Sequence, residues 1–168
     1  MSMSKTAHRI KHRDKPNDIF YTPEPLAQLC VKQINFIQGD IVLDNAYGEG
    51  AFYNNFSENV LKQKCEIQDG SDFYEWKYPV DWCVTNPPYS HLDKWLEYSC
   101  KISRKGFGYI IGWNNLTAKR IEMCNSKGFY LTKILMLKVF KWYGMSAFVV
   151  FEKNATKNII EINRTVWR

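Results

Sequence analysis

An α/β architecture, a mostly parallel sheet with helices on both faces and a C-terminal antiparallel hairpin, is what this sequence predicts, and three stretches predict it. Asp40-Ile41-Val42-Leu43-Asp44 has the pattern of a short buried strand and runs straight into a glycine turn, Asn45-Ala46-Tyr47-Gly48-Glu49-Gly50, and a helical segment. Val80-Asp81-Trp82-Cys83-Val84 is a second such run, bounded by Pro79 and halted by Asn86-Pro87-Pro88-Tyr89. Tyr130 to Phe140 and Met145 to Phe151 are apolar runs flanking Lys141-Trp142-Tyr143-Gly144, the pattern of a hairpin.

The chain has 168 residues, one domain's worth, and can bury a core without disulfides or a structural metal. Aromatic residues make up 15%, high for a small protein; rings fill cores and also stack on bases, and composition does not separate those uses. Cys30, Cys65, Cys83, Cys100 and Cys124 are odd in number, widely spaced and mostly within apolar segments, with no Cys-x-x-Cys pair. They read as free thiols of a reduced, cytoplasmic protein and not as metal ligands. The formal net charge of +6 favours an anionic partner such as nucleic acid, although scattered basic residues are more often a solvated face. No apolar run approaches the ~18 residues of a membrane span, and the basic N-terminus lacks a following apolar stretch, so neither membrane insertion nor secretion is expected.

Taken in order, residues 1–18 are polar and basic and are expected to form an arm, partly disordered unless bound, with 19–168 as a single domain. Thr22 suits a helix N-cap, Pro23 the first helical position and Glu24 the positive end of the dipole; an apolar stripe runs from Leu26 to Ile37, and Gly39 fits the stop. The strand ending in Asp44 and the turn through Ala46, Gly48 and Gly50 form a nucleotide-binding layout, in which glycines allow close backbone approach and a strand-end acid accepts hydrogen bonds. A plain tight turn explains Gly-x-Gly equally simply. Lys64-Cys65-Glu66-Ile67 is a very short strand candidate with Glu66 at its end. Five residues separate Glu66 from Asp72, too few for a helix between parallel strands, so this side of the sheet is expected to be trimmed. Ser90 and Asp93 have capping-box spacing ahead of a helix with Leu92, Trp95 and Leu96 inward. Gly106 to Trp113 reads as a strand, Thr117 opens a helix ending near Gly128, and Asn158 to Val166 is a final strand candidate.

The stretch with the most chemistry is Asn86-Pro87-Pro88-Tyr89. Each proline fixes φ near −65° and pushes the preceding residue out of the helical region, so Asn86 and Pro87 are held extended. A stiff turn at a strand's C-terminal end, presenting an amide, a carbonyl and a ring, can hold a flat group bearing an NH₂. An ordinary strand-to-helix loop with Tyr89 packed on it fits the same four residues.

With these elements in place, the sequence resembles the Rossmann-like S-adenosylmethionine-dependent methyltransferases, specifically those that carry Asn/Asp-Pro-Pro-aromatic and act on the N6 amine of adenine. The match covers roughly residues 20 to 152. The resemblance implies that Tyr21-Thr22-Pro23 helps hold the methionine carboxylate of the cofactor, that Asp44, Ala46, Gly48 and Gly50 form its loop, that Glu66 takes its ribose and that Asp72 and Phe73 bracket its adenine. It implies that Asn86 and the Pro87 carbonyl accept the two N–H bonds of the target amine, with Pro88 stiffening the turn, Tyr89 stacking on the base, and the methyl moving by in-line displacement without a metal. The order of upstream motif, glycine loop and catalytic motif is used by one class of these enzymes. Asn45 stands where many relatives have proline, and no segment large enough for a target-recognition domain follows the catalytic motif. Target contacts are therefore expected from the arm before Phe20, the hairpin tip at Lys141-Trp142-Tyr143 and the basic C-terminus, or from a second subunit, as a homodimer or a partner protein; a tip folded onto the sheet fits those aromatics equally.

Three other readings share these motifs in part. Glutamine in a protein also presents an NH₂ to an Asn-Pro-Pro-Tyr site. A silent methyltransferase-like module would bind nucleic acid or support a partner without catalysis. An unrelated Rossmann-like nucleotide binder would explain the glycines and leave the double proline unexplained.

Overall fold

The computed structural model describes residues 21–138 and 144–162. The N-terminal arm, most of the hairpin tip and the last six residues lie outside the described residues. Six strands form one sheet: β1 (Ile41–Asp44), β2 (Leu61–Lys64), β3 (Val80–Thr85), β4 (Ser103–Gly112), β5 (Tyr130–Leu137) and β6 (Ser146–Glu152), in the order β2-β1-β3-β4-β6-β5. The first four are parallel; β6 pairs antiparallel with both β4 and β5. The helices are α1 (Glu24–Val31), α2 (Ala51–Asn55), α3 (Leu92–Ile102) and α4 (Ala118–Ser126).

The two-residue period of a strand explains why both faces need cover. Along β1, β3, β4 and β6, Val42, Trp82, Val84, Ile110, Phe148 and Val150 point to one side, where α1 and α2 supply Ala27, Cys30, Val31, Phe52 and the neighbouring Phe56. Leu43, Cys83, Phe107, Tyr109, Ile111, Val149 and Phe151 point to the other, under Trp95, Leu96 and Cys100 of α3 and Ile121 and Cys124 of α4. Packing is close enough at the centre that Gly106 tolerates no side chain: a Cβ there would lie 2.4 Å from the Phe151 carbonyl oxygen. All five cysteines are free and buried, and burial pushes the thiols of Cys30, Cys65 and Cys83 up to about 12, so they pack as small apolar groups. No helix among the described residues is long and apolar enough to cross a membrane.

Several boundaries differ from expectation, each because a tertiary partner displaces a local preference. Pro23, extended at ψ 135°, occupies the N-cap of α1 with no side-chain cap, so Thr22 does not cap it. The helix leaves at Val31 through tightened bonds, Gln33 N–H to Cys30 and Ile34 N–H to Val31, well before Gly39, which turns separately and donates to Asn59. The second strand is Leu61–Lys64 and not Lys64–Ile67: Leu61 N–H bonds the Asp40 carbonyl and Cys65 N–H the Asp44 carbonyl, setting the register on β1 and leaving Glu66 to cap a 3₁₀ turn. Being a polar edge strand, Leu-Lys-Gln-Lys has no apolar signal to read. Ser90 does not cap α3, whose N-cap is His91 without a side-chain bond, because Asp93 is held by Arg120 at 2.6 Å. The β4 strand starts at Ser103, where Arg104 and Lys105 pair with the Asp81 and Asp40 carboxylates at the other end of the sheet. Over 158–162 there is no strand; Asn158 and Ile159 each make one bond to Leu131, and 163–168 lie outside the described residues.

Between Glu66 and Val80 the described chain has only two 3₁₀ turns, Ile67–Asp69 and Phe73–Glu75, which is the trimmed side of the sheet. Strand order reverses direction at β1, with β2 on one flank and β3 on the other. This is the topological switch point of an open sheet, and the crevice at its carboxyl edge is where such folds take ligands.

Candidate functional site

At that edge β1 ends in Asp44, fully buried. Its carboxylate accepts the Tyr53 N–H at 3.2 Å and lies 2.7 Å from the Thr85 hydroxyl, which also reaches the Ala46 carbonyl at 3.1 Å. One acid thus ties the ends of β1 and β3 to the start of α2. Burial pushes the Asp44 carboxyl up to about 7, helped by the charge of Glu66 and opposed by the hydrogen bonds from Thr85, Tyr53 and Ala46. Between the ordinary aspartate value and 7 the folded chain holds a proton that the unfolded chain has lost, so the stability contributed here is present at low pH and is lost as pH rises from about 4 through 7. Asp44→Asn is expected to flatten the stability profile across that window, measured by urea titration at half-unit pH steps; an unchanged slope would refute the assignment.

After Asp44 the turn is wound by two left-handed glycines, Gly48 at φ +52° and Gly50 at φ +84°. Gly48 N–H donates to Glu66 Oε2 at 2.7 Å, and Glu66 Oε1 accepts from Gln68 N–H at 3.3 Å, so this carboxylate joins the glycine turn to the turn after β2. Asp72 Oδ1 accepts the Tyr74 N–H at 2.9 Å and starts the turn that lays Phe73 against Trp95, ring centroids 4.4 Å apart. After Thr85 the chain runs without a helix or strand to Pro88, which is extended (φ −65°, ψ 126°), and the Tyr89 hydroxyl donates to Asn86 Oδ1 at 3.2 Å.

These pieces enclose a cavity of about 310 Å³. Of the residues singled out in the sequence, Tyr21, Ala46, Gly48, Glu66, Asp72, Phe73, Asn86 and Pro88 line it. Asp44 stands behind it, Gly50 starts α2, Pro87 is buried, Tyr89 reaches Asn86, and Thr22 and Pro23 lead into α1; none of these six is a lining residue. Asn45, Ile67, Gln68, Tyr74, His91 and Trp95 line it unanticipated. An isolated apolar residue directly after the acid Glu66 is the readable signal for Ile67, whereas Trp95 has the spacing of an ordinary core residue. Asn45, a departure from the family pattern, is buried and donates to the Tyr109 hydroxyl at 2.9 Å. A wider groove of about 520 Å³ is lined by Ile41, Leu61, Gln63, Tyr78 and Pro79; it shares Asp72 with this cavity but takes no residue from the glycine turn or from Asn86-Pro87-Pro88-Tyr89.

The walls of the smaller cavity combine two carboxylates, an exposed backbone turn and aromatic faces, the set an elongated ligand with hydroxyls and one flat ring requires. Among the described residues, Asn45 Oδ1, Tyr74 OH and Trp95 Nε1 are buried without a hydrogen-bond partner, and all three residues line this cavity.

No family model matches the sequence, and no curated protein matches it. Solved structures do share its fold. Magnesium protoporphyrin IX methyltransferase from Synechocystis PCC 6803, with bound S-adenosylmethionine, superposes with a TM-score of 0.59 over 78% of this chain and 77% of its own, at 10% identity. A methyltransferase from Pyrococcus furiosus gives 0.58 over 91% and 100%, at 16% identity. The methyltransferase subunit of a type I restriction-modification system from Streptococcus thermophilus gives 0.62 over 82% of this chain and 45% of the larger subunit, at 15% identity. The chain has the Rossmann-like methyltransferase fold.

Proposed function

We propose that, on this methyltransferase fold, the chain transfers a methyl group from S-adenosylmethionine to the exocyclic N6 amine of adenine in nucleic acid, with DNA favoured and RNA offering the same amine. The observation that carries the reading is that Asn86 and Pro88 line the same 310 Å³ cavity as Gly48, Glu66, Asp72 and Phe73. Glu66 and Asp72 are acceptors for hydroxyl and amino groups, and Ile67 and Phe73 are apolar walls for a flat ring. Bound there, the cofactor supplies an electrophilic methyl on a sulfonium.

What the chain's own residues contribute follows from the nucleophile. An adenine amine is weak because its lone pair is delocalised into the ring, so the site must localise that pair and aim it. Asn86 Oδ1 accepts one amine N–H and the Pro87 carbonyl the other, the prolines holding both acceptors at a fixed spacing. The Tyr89 hydroxyl fixes the Asn86 amide orientation, and its ring stacks on the base. A base in a duplex must flip out to reach this cavity, whereas a single-stranded one need not. The resemblance in fold to a restriction-modification methyltransferase subunit supports a partner, or a second copy, as an added source of target recognition.

Incubation with labelled S-adenosylmethionine and separate pools of duplex DNA, single-stranded DNA, structured RNA and protein tests the proposal. Label recovered as N6-methyladenine in a nucleic-acid pool is the expected result. Label on a protein glutamine would overturn the substrate, and absence of cofactor binding in calorimetry would overturn the activity.

A further inference from the structure

Beyond the cavity, the carboxyl edge of the sheet carries a second built feature. Thr85 of β3 is level with Tyr109 of β4, and β4 continues past it to Gly112, so the turn that follows, Trp113–Asn115, stands beyond the strand end from which Asn86 leaves. That turn is held from every side. Trp113 N–H donates to the Met145 carbonyl at 2.8 Å, Leu116 N–H to the Trp113 carbonyl at 3.1 Å and Thr117 N–H to the Asn115 carbonyl at 3.1 Å. The Arg120 guanidinium donates from Nη1 to the Asn115 carbonyl at 2.8 Å and to Asn115 Oδ1 at 3.2 Å, while its Nε donates to Asp93 at 2.6 Å in the first turn of α3, just after the proline motif. Arg120 therefore ties the turn to the first turn of α3, which follows the proline motif. Yet the indole on this fixed backbone stays 40% exposed, with Met145 beside it 50% exposed.

The charge around it is positive. Lys119 is exposed and close enough to Asp93 to lower its carboxyl pKa, after the larger effect of the hydrogen bond from Arg120, and Lys94 follows Asp93 in α3. Arg120 and Lys119 thus both act on one carboxylate. An exposed aromatic on a fixed backbone, at the same sheet edge as the proline motif and in a segment that carries the exposed Lys119, matches single-stranded nucleic acid, with a base on the ring and a phosphate on the lysine.

We propose that the Trp113–Asn115 turn is the second wall of the substrate site: Trp113 stacks on a nucleobase of a single strand entering the catalytic loop, Lys119 contacts its phosphates, and Arg120 is a positioning residue acting through the turn. The proposal rests on the nucleic-acid reading above and places target contacts within the described core.

Binding of a fluorescein-labelled oligodeoxyadenylate to the full chain, with S-adenosylmethionine titrated separately by calorimetry, tests it. Removing one base stack of roughly 1–3 kcal/mol, Trp113→Ala should weaken oligonucleotide binding about 5- to 150-fold, and Trp113→Phe should restore most of it, both with unchanged cofactor affinity. Lys119→Ala should lower the slope of log affinity against log salt by about 0.7 per lost phosphate contact on a single strand. In kinetics, Trp113→Ala should raise KM and leave kcat within a few-fold, a split that a structural role for the indole would not produce. Wild-type binding by Trp113→Ala overturns the inference while leaving the N6-adenine reading intact. Failure of the unaltered chain to bind or methylate any oligonucleotide, with cofactor affinity present, overturns both; methylated protein in the same assay names the substrate instead.

Discussion

Asn86→Ala should lower turnover on an adenine-containing oligonucleotide by about 10²-fold or more, the scale on which a single preorganised hydrogen-bonding group acts at a transition state, with S-adenosylmethionine affinity within a few-fold of the unaltered chain. The substitution removes the acceptor that localises the amine lone pair, an interaction that strengthens as the nitrogen attacks, so the loss belongs in kcat. Tyr89 provides the internal control, because its hydroxyl donates to Asn86 Oδ1 at 3.2 Å. Tyr89→Phe keeps the ring and removes the hydroxyl that orients Asn86, and should cost far less turnover than Asn86→Ala. Tyr89→Ala loses the stack as well and should weaken substrate binding by roughly 1–3 kcal/mol. Single-turnover rates and KM for the three variants separate these effects. Full activity in Asn86→Ala would refute the mechanism.

Gly48→Val should reduce S-adenosylmethionine affinity below calorimetric detection while the chain still unfolds cooperatively. The reason is the backbone and not crowding. A Cβ at Gly48 would meet the Tyr21 ring at 3.5 Å, an ordinary contact, whereas φ +52° costs a side-chain-bearing residue about 1–2 kcal/mol and a β-branched one more. Relaxing that strain withdraws the Gly48 N–H from Glu66 and moves both the turn and the carboxylate that line the cavity. Affinity equal to that of the unaltered chain would detach the glycine turn from cofactor binding.

The elements that the sequence announced are those whose signal is local. Apolar runs marked β1, β3 and the terminal hairpin, and Thr117 was readable as the cap of α4, where its side chain accepts the Arg120 N–H. The edge strand β2 was misplaced because none of its residues, Leu-Lys-Gln-Lys, is buried on either face, so it carries no apolar alternation. The first three residues of β4 and the start of α3 were misplaced because their decisive partners, Asp81, Asp40 and Arg120, come from distant parts of the chain.

For the candidate site the division is similar. Glycines at a strand end, acids after the next strand and a double proline after the third are legible one by one, because backbone conformation at Gly and Pro depends on the residue itself. Their convergence on one cavity required the strand order, with β1 between β2 and β3, which no local pattern encodes. The burial that pushes Asp44 up to about 7 and the bond by which Arg120 ties the Trp113–Asn115 turn to Asp93 both arise from side chains meeting across long separations in sequence. Residue types set which groups were available for chemistry; long-range packing decided which of them lost water and faced the same space.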